Sequence, residues 1–450
     1  MTAVDANKFQ RRQTSRLEST ERRAGDIIGW SKENSPLVLT WLGDSSATVR
    51  VFVIAGQHGD EVQGRQAAAR LIASYGQGIR GVQAAVLTNA NPDGALRNTR
   101  MNTDGIDLNR DHQLLRSVEI QAIHCFVRQW RPHVIVDVHN YPSRRRHLVE
   151  RGLVAHHDVL VDVPTHPAIK LALSEEQRDE FLTTIHEELK SEGYESERYV
   201  LVSPAGRVRH STTDVVDARN GLALRYGALT VLLEGRAPIR KEGAVAAERT
   251  IVAQHLALNS ILKLAGRFGE TLIGNSSSIG RELEIVPVRC CYRLAENTLA
   301  LKFRDVKTSD VREVVFPEFR GRLKVTRQIT LPAAYAVPLA NRELIELLKL
   351  HGFAHHIANS EEAVRIERYF IESVTAAPCD GQTPKRIFLK TNQSLAPLDG
   401  YAIFPITQTG GRALAVFLEP KSNYGLHRYG ELNLPLLADS FYPILRVLAG

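Results

Sequence analysis

Between residues 52 and 64 the chain reads FVIAGQHGDEVQG. An apolar run ends at a glycine, and His58 and Glu61 follow three residues apart. A neutral imidazole and a carboxylate at that spacing, on the corner where a strand turns into a helix, can aim at one metal ion. Catalytic zinc takes three protein ligands and keeps a position open, so a third ligand must come from elsewhere. His139, which ends the apolar run HVIVDVH (133–139), is the candidate. The spacing alone is weak: a second H-x-x-E, His147 to Glu150, follows the arginine cluster SRRRHL (143–148) instead of a strand. In isolation Glu61 reads equally well as a helix-start carboxylate and His58 as a turn residue.

More groups of the same chemistry fall at strand ends. Glu234 closes TVLLE (230–234), and Arg97, Arg100 and the stretch GIDLNRD (105–111) occupy the loop after an apolar run over 82–89. A carboxylate can move protons, and an arginine offers a planar fork that suits a carboxylate or a developing oxyanion. Function in open α/β sheets collects at the carboxyl ends of strands, so the elements that place these residues decide whether they meet.

Hydrophobic periodicity predicts strands over 48–56, 82–89, 133–142 and 228–236, alternating with helices over 61–76, 117–130, 173–193 and 243–266. That alternation implies an α/β fold, a sheet covered on both faces. Near residue 268 the texture changes to short β-like runs broken by Pro, Gly and Asn, with one helix candidate over 341–352. The expected organisation is a polar tail over 1–25, a catalytic domain over 26–268 and a mostly-β module over 269–450.

The bulk numbers fit a globular chain. It has 450 residues, 43% hydrophobic and 24% charged, with net charge +7, four cysteines and 6% aromatics. No apolar run reaches the ~18 residues of a membrane span. The basic residues are dispersed and carry no nucleic-acid signature. The expectation is a cytoplasmic protein with reduced thiols, binding neither nucleic acid nor membrane.

Six short stretches in order, QHGDE, NPDG, RNTR, GIDLNR, DVHNY and LLEG, resemble the zinc carboxypeptidases, the M14 metallopeptidase family, over about residues 45–240. The resemblance implies a mixed, mostly parallel eight-stranded sheet flanked by helices, with one zinc ion per chain held by His58, Glu61 and His139. It implies Glu234 as the general base that activates water. Arg97, first of RNTR, matches the arginine that polarises the scissile carbonyl. Asn109 and Arg110 match the pair that grips a terminal carboxylate, and Asp107 the carboxylate that orients the first zinc histidine. Arg100, Tyr141 and Arg219 are further candidates to line the substrate site. The function implied is hydrolysis of an amide next to a free carboxylate in a small peptide or an acylated amino acid. A metallocarboxypeptidase comes first, with an N-acyl-amino-acid deacylase and a non-catalytic zinc-binding module as alternatives.

The chain departs from that family in three places. No tyrosine stands in AGRVRHSTTDV (205–215), where the carboxypeptidases carry a mobile one; His210 is the nearest substitute. Only 77 residues separate Glu61 from His139, as in the desuccinylase- and aspartoacylase-like branch. Arg219 falls in the segment that lines the specificity pocket, where a buried arginine would favour an acidic side chain. The run LVAHHDVLVDVPTH (153–166) is read as a loop near the cleft, with a second metal site as the lesser reading.

Overall fold

The computed structural model describes residues 25–75, 79–274, 284–358, 363–376 and 385–449. The tail expected over 1–25 lies, up to residue 24, outside them. Eleven strands come first in chain order: β1 (Asp26–Trp30), β2 (Pro36–Leu42), β3 (Val49–Ala55), β4 (Val82–Leu87), β5 (Val134–Pro142), β6 (Leu153–Ala155), β7 (Val159–Asp162), β8 (Ser196–Arg198), β9 (Val200–Val202), β10 (Val208–His210) and β11 (Leu229–Ala237). Eight of them form one mixed sheet in the order β1-β2-β4-β3-β5-β11-β7-β8. The central block β4-β3-β5-β11 is parallel, while the β1–β2, β2–β4 and β11–β7 pairs are antiparallel.

The parallel strands are apolar on both faces because helices cover both. On β3, Val51, Val53 and Ala55 face one core with helices Val62–Ser74, Glu175–Ser191 and Gly243–Arg267. Phe52 and Ile54 face the other, with helices Val118–Trp130 and Ala218–Tyr226. The helix over Glu175–Ser191 starts where its serine indicates: Ser174 and Gln177 form a reciprocal capping box.

Beyond residue 284 the chain is β-rich, with strands such as Ile285–Arg293, Leu299–Asp305, Val311–Phe316 and Arg322–Thr330, then a seven-stranded sheet and helices Arg342–Leu350 and Gly411–Leu418. The separation expected near residue 268 does not hold. Val286, Leu344 and Phe417 share one continuous core with Phe52, Ile54 and Leu222. Strand Leu299–Asp305 adds to β6, and Phe319–Arg320 adds to β10. The physical reason is that the face carrying Phe52 and Ile54 is covered jointly by helices Val118–Trp130 and Ala218–Tyr226 and by apolar residues of the last third of the chain.

Candidate metal centre

Gly56 ends β3 in the left-handed region (φ 72°), where a Cβ would strike the Arg65 side chain. The turn it permits brings Gln57 and His58 over the sheet edge. Glu61 opens the Val62–Ser74 helix but makes no capping bond. Its Oε1 lies 2.6 Å from His58 Nδ1, and its Oε2 lies 2.9 Å from His139 Nδ1 and accepts the Asn140 N–H at 3.0 Å. The two Nδ1 atoms are 3.1 Å apart. One donor atom from each of the three buried residues falls within 4.8 Å of the others, and among the described residues no other such group occurs. Glu61 is thus no ordinary helix-start carboxylate.

The far ring nitrogens are already committed, which fixes the tautomers. His58 Nε2 meets Asp107 Oδ1 at 3.1 Å. His139 Nε2 donates to Asp137 Oδ1 at 2.8 Å, which leaves Nδ1 for the metal position; the Asn109 amide nitrogen lies 2.9 Å away as a neighbour. Burial alone would raise Glu61, but the charges of His139 and His58 hold it down at about 2. Burial would lower His139, yet Asp137 and Glu61 on either side raise it well above the usual histidine value. The centre therefore calls for positive charge where the two Nδ1 atoms and the carboxylate converge. Two imidazoles and a carboxylate suit zinc, and the set fits it.

Strand register supplies the rest. Side chains alternate along β5, so Asp137, His139 and Tyr141 share a face. Their partners on β11 are Leu232, Glu234 and Arg236. Glu234 thus stands directly beside His139. Burial and the nearby Glu61 raise its carboxyl above the usual range, against the charges of His139, Arg145 and His58.

The other expected residues divide. Asp107 lies where the resemblance put it, also accepting from Arg100 Nε at 3.0 Å. Burial would lift its carboxyl, but His58, Arg100 and Arg110 hold it below the ordinary value. Arg97 is a correction. It turns outward to pair with Glu33 and donate to Thr103, because it ends the short Pro92–Arg97 helix on its exposed side. Arg100 is the arginine that reaches the ligands, with Nη1 3.2 Å from His58 Nδ1 and 3.6 Å from Glu61 Oε1. Arg110 is exposed, its Nη1 donating to the Asn109 carbonyl. Asn109 is corrected too: its amide is held inside the protein, beside His139 and accepting the Ala218 N–H. Arg219 is 1% exposed and bound to Asp162 at 3.0 Å, with Asp217 near, so its charge is already balanced and reads no acidic side chain. The Tyr141 hydroxyl donates to the His157 carbonyl, which leaves only its ring to meet a ligand. His210 packs edge-on against Phe319, away from the ligands. In the 153–166 run, Asp158 is held by Arg249 at 2.7 Å and His166 packs on Tyr424.

Three contributors escaped the sequence reading. Asp137 was legible, two residues before His139 on an alternating strand. Gln57, whose Nε2 donates to Asp137 at 2.6 Å, carries no signal beyond its place next to His58. Arg145 sits in the arginine cluster SRRRHL, to which no role was assigned, yet its charge acts on Glu234.

Residues 20–143 match the family model described as zinc carboxypeptidase. That segment carries His58, Glu61, Arg100, Asp107, Asn109 and His139, and Glu234 lies beyond it. The probable carboxypeptidase 2 of Trichophyton verrucosum is 22% identical over 191 residues, 40% of this chain and 37% of that protein. The match therefore spans little more than a third of that relative. The carboxypeptidase 2 of Trichophyton tonsurans is 22% identical over 437 residues, 90% of this chain and 77% of that protein. Among solved structures, a metallo-carboxypeptidase from Burkholderia cenocepacia aligns over 56% of this chain and 67% of its own, with 18% identity and a TM-score of 0.39.

Proposed function

We propose that this chain is a zinc-dependent hydrolase of an amide bond next to a free carboxylate, acting on a small peptide as a metallocarboxypeptidase. The observation that carries the reading is Glu234 in register with His139, a half-buried carboxylate beside the three donors. Metal binding alone has no use for it. His58, Glu61 and His139 would hold one zinc ion, which when bound polarises a carbonyl and acidifies water. Glu234, its affinity for protons raised by burial, accepts a proton from water and passes it to the leaving nitrogen. Arg100 places a guanidinium where the carbonyl oxygen gains charge. Arg110 is exposed and suited to the substrate's carboxylate. Cys125, Cys290 and Cys291 are free thiols, which favours the cytoplasm. Among the described residues no helix is long and apolar enough to cross a membrane.

The deacylase reading stays second, favoured by one observation: the Tyr141 hydroxyl is bound internally, and no tyrosine occurs over 205–215. The test is a mass-spectrometric screen of metal-analysed protein against peptides with varied C-terminal residues and against N-acyl amino acids. We expect hydrolysis that Glu234→Gln abolishes with its zinc retained. Full zinc occupancy and no turnover of any member would overturn the hydrolase reading.

A further inference from the structure

Near Glu234 lies a small pocket that opens to solvent and is lined mainly by apolar side chains. Its floor belongs to the central sheet: Leu160 of β7 is the register partner of Glu234, and Tyr141 stands two residues beyond His139 on β5. Its far wall does not. Leu301 and Phe303 come from strand Leu299–Asp305, which pairs with β6 through Phe303 and Ala155. Both are nearly buried, packed in one small cluster with Val202 of β9. Arg145 stands at the rim, bonded to the Tyr199 hydroxyl and close enough to Glu234 for its charge to act there.

The pocket's position along the strands says what enters it. On the shared face, Asp137 and Leu232 form one level, His139 and Glu234 the next, Tyr141 and Arg236 the third. Asp162 pairs with Leu232 and holds Arg219; Asn109, the residue before Arg110, accepts the Ala218 N–H next to Arg219 through its Oδ1 at 2.8 Å. Arg110 therefore belongs with the first level, and the pocket sits at the third, on the opposite side of Glu234. A substrate whose free carboxylate goes to Arg110 sends its acyl half toward the pocket.

We infer that this pocket selects the acyl side of the scissile amide for an apolar aliphatic or aromatic group, and that the last third of the chain supplies the selecting wall. The inference rests on the hydrolase reading and on a mainly apolar lining that also carries Arg145, Lys302, His156 and His157. An apolar pocket discriminates by desolvation, and added methylenes there change kcat/KM by roughly 10-fold or more.

The test uses the full-length zinc-reconstituted protein and a series of acetyl, butanoyl, hexanoyl and phenylacetyl amides of alanine, aspartate, lysine and phenylalanine. We expect kcat/KM to rise at least about 10-fold from acetyl to hexanoyl. Val202→Trp, which fills the pocket, and Leu301→Asn, which wets it, should flatten that rise mainly through KM, each checked for an unchanged urea midpoint. Turnover with no dependence on the acyl group overturns the pocket and leaves the hydrolase reading intact. So does a variant that lowers all acyl groups by one common factor. If no amide is cleaved, calorimetric binding to Glu234→Gln decides. Hexanoyl amides bound at least about 10-fold more tightly than acetyl, with the gain lost in Val202→Trp, keep the pocket and remove the hydrolase reading. Equal binding removes the pocket as well.

Discussion

At the residue scale, the centre divides its work between side chains that face the metal position and side chains that face away from it. Arg100 and Arg97 sit three residues apart and do different things. Arg100 reaches His58 and Glu61, whereas Arg97 is held by Glu33 at the surface. Arg100→Gln should lower kcat by about 100-fold or more, the size of losing one oxyanion donor. Arg97→Gln, which breaks an exposed pair worth under about 1 kcal/mol, should change kcat little. Steady-state kinetics on the best substrate separates them, and a larger loss at Arg97 would reverse the assignment. Asp137 is the other test. It is fully buried and fixes His139 from behind. Asp137→Asn should weaken zinc binding by about 10- to 100-fold, measured by chelator competition. An unchanged affinity would mean that the packing around the ring, and not Asp137, sets its orientation.

At the element scale, two loops must stay locked for three donors to converge. Asn91 does this directly: its Oδ1 accepts the Gly94 N–H and its Nδ2 donates to the Gln57 and Arg100 carbonyls. Gly59 does it by being small. A Cβ there would lie 2.1 Å from the Gly94 carbonyl carbon, backbone that cannot step aside cheaply. Gly59→Ala should push the His58 loop off the Pro92–Arg97 helix and lower zinc affinity at least about 10-fold, with the fold otherwise kept. Calorimetric titration of zinc checks it, and wild-type affinity would show that the loop has slack. This scale also marks what the sequence made legible. The strands at 49–55 and 134–142 and the helices at 62–74, 118–130 and 243–267 follow from apolar period and caps, because local pattern and tertiary burial agree there. The donors His58, Glu61 and His139, with Glu234 beside them, follow from motif order. Arg97, Asn109 and Arg219 did not, because a motif gives a residue its neighbourhood and not its partner. Glu33, Ala218 and Asp162 decided those three, and all lie far away in sequence. The short strand β6 and the hairpin strand that joins it carry no period long enough to read.

At the scale of the whole molecule, burial leaves many histidines neutral. Burial is the main cause that brings His112 and His157 down to about 4, and His166 and His351 to about 3. Each folded value lies below the unfolded one near 6.5. As pH falls below 6.5 the unfolded chain takes up protons that the folded chain refuses. Their contribution is complete above 6.5 and is lost progressively toward 4 and 3. Glu419, raised by burial to about 7, works the other way over part of that range, as do the raised carboxyls of Asp111, Glu119, Asp214, Asp217 and Glu234 and the raised His139, but ten histidines are lowered and outnumber them. The urea midpoint should therefore be lower at pH 5 than at pH 7. An equal or higher midpoint at pH 5 would show that those rings gain protons without unfolding.

The strand that walls the pocket has a consequence in time. A ribosome releases the chain from one end, so His139 emerges well before Leu301 and Phe303. At ordinary elongation rates that interval is roughly 10 to 30 s. During it the three donors are already made while the pocket still lacks its far side. A newly made chain thus carries its metal donors before either the selecting wall or the shared core over Phe52 and Ile54 is complete, and its last third supplies both.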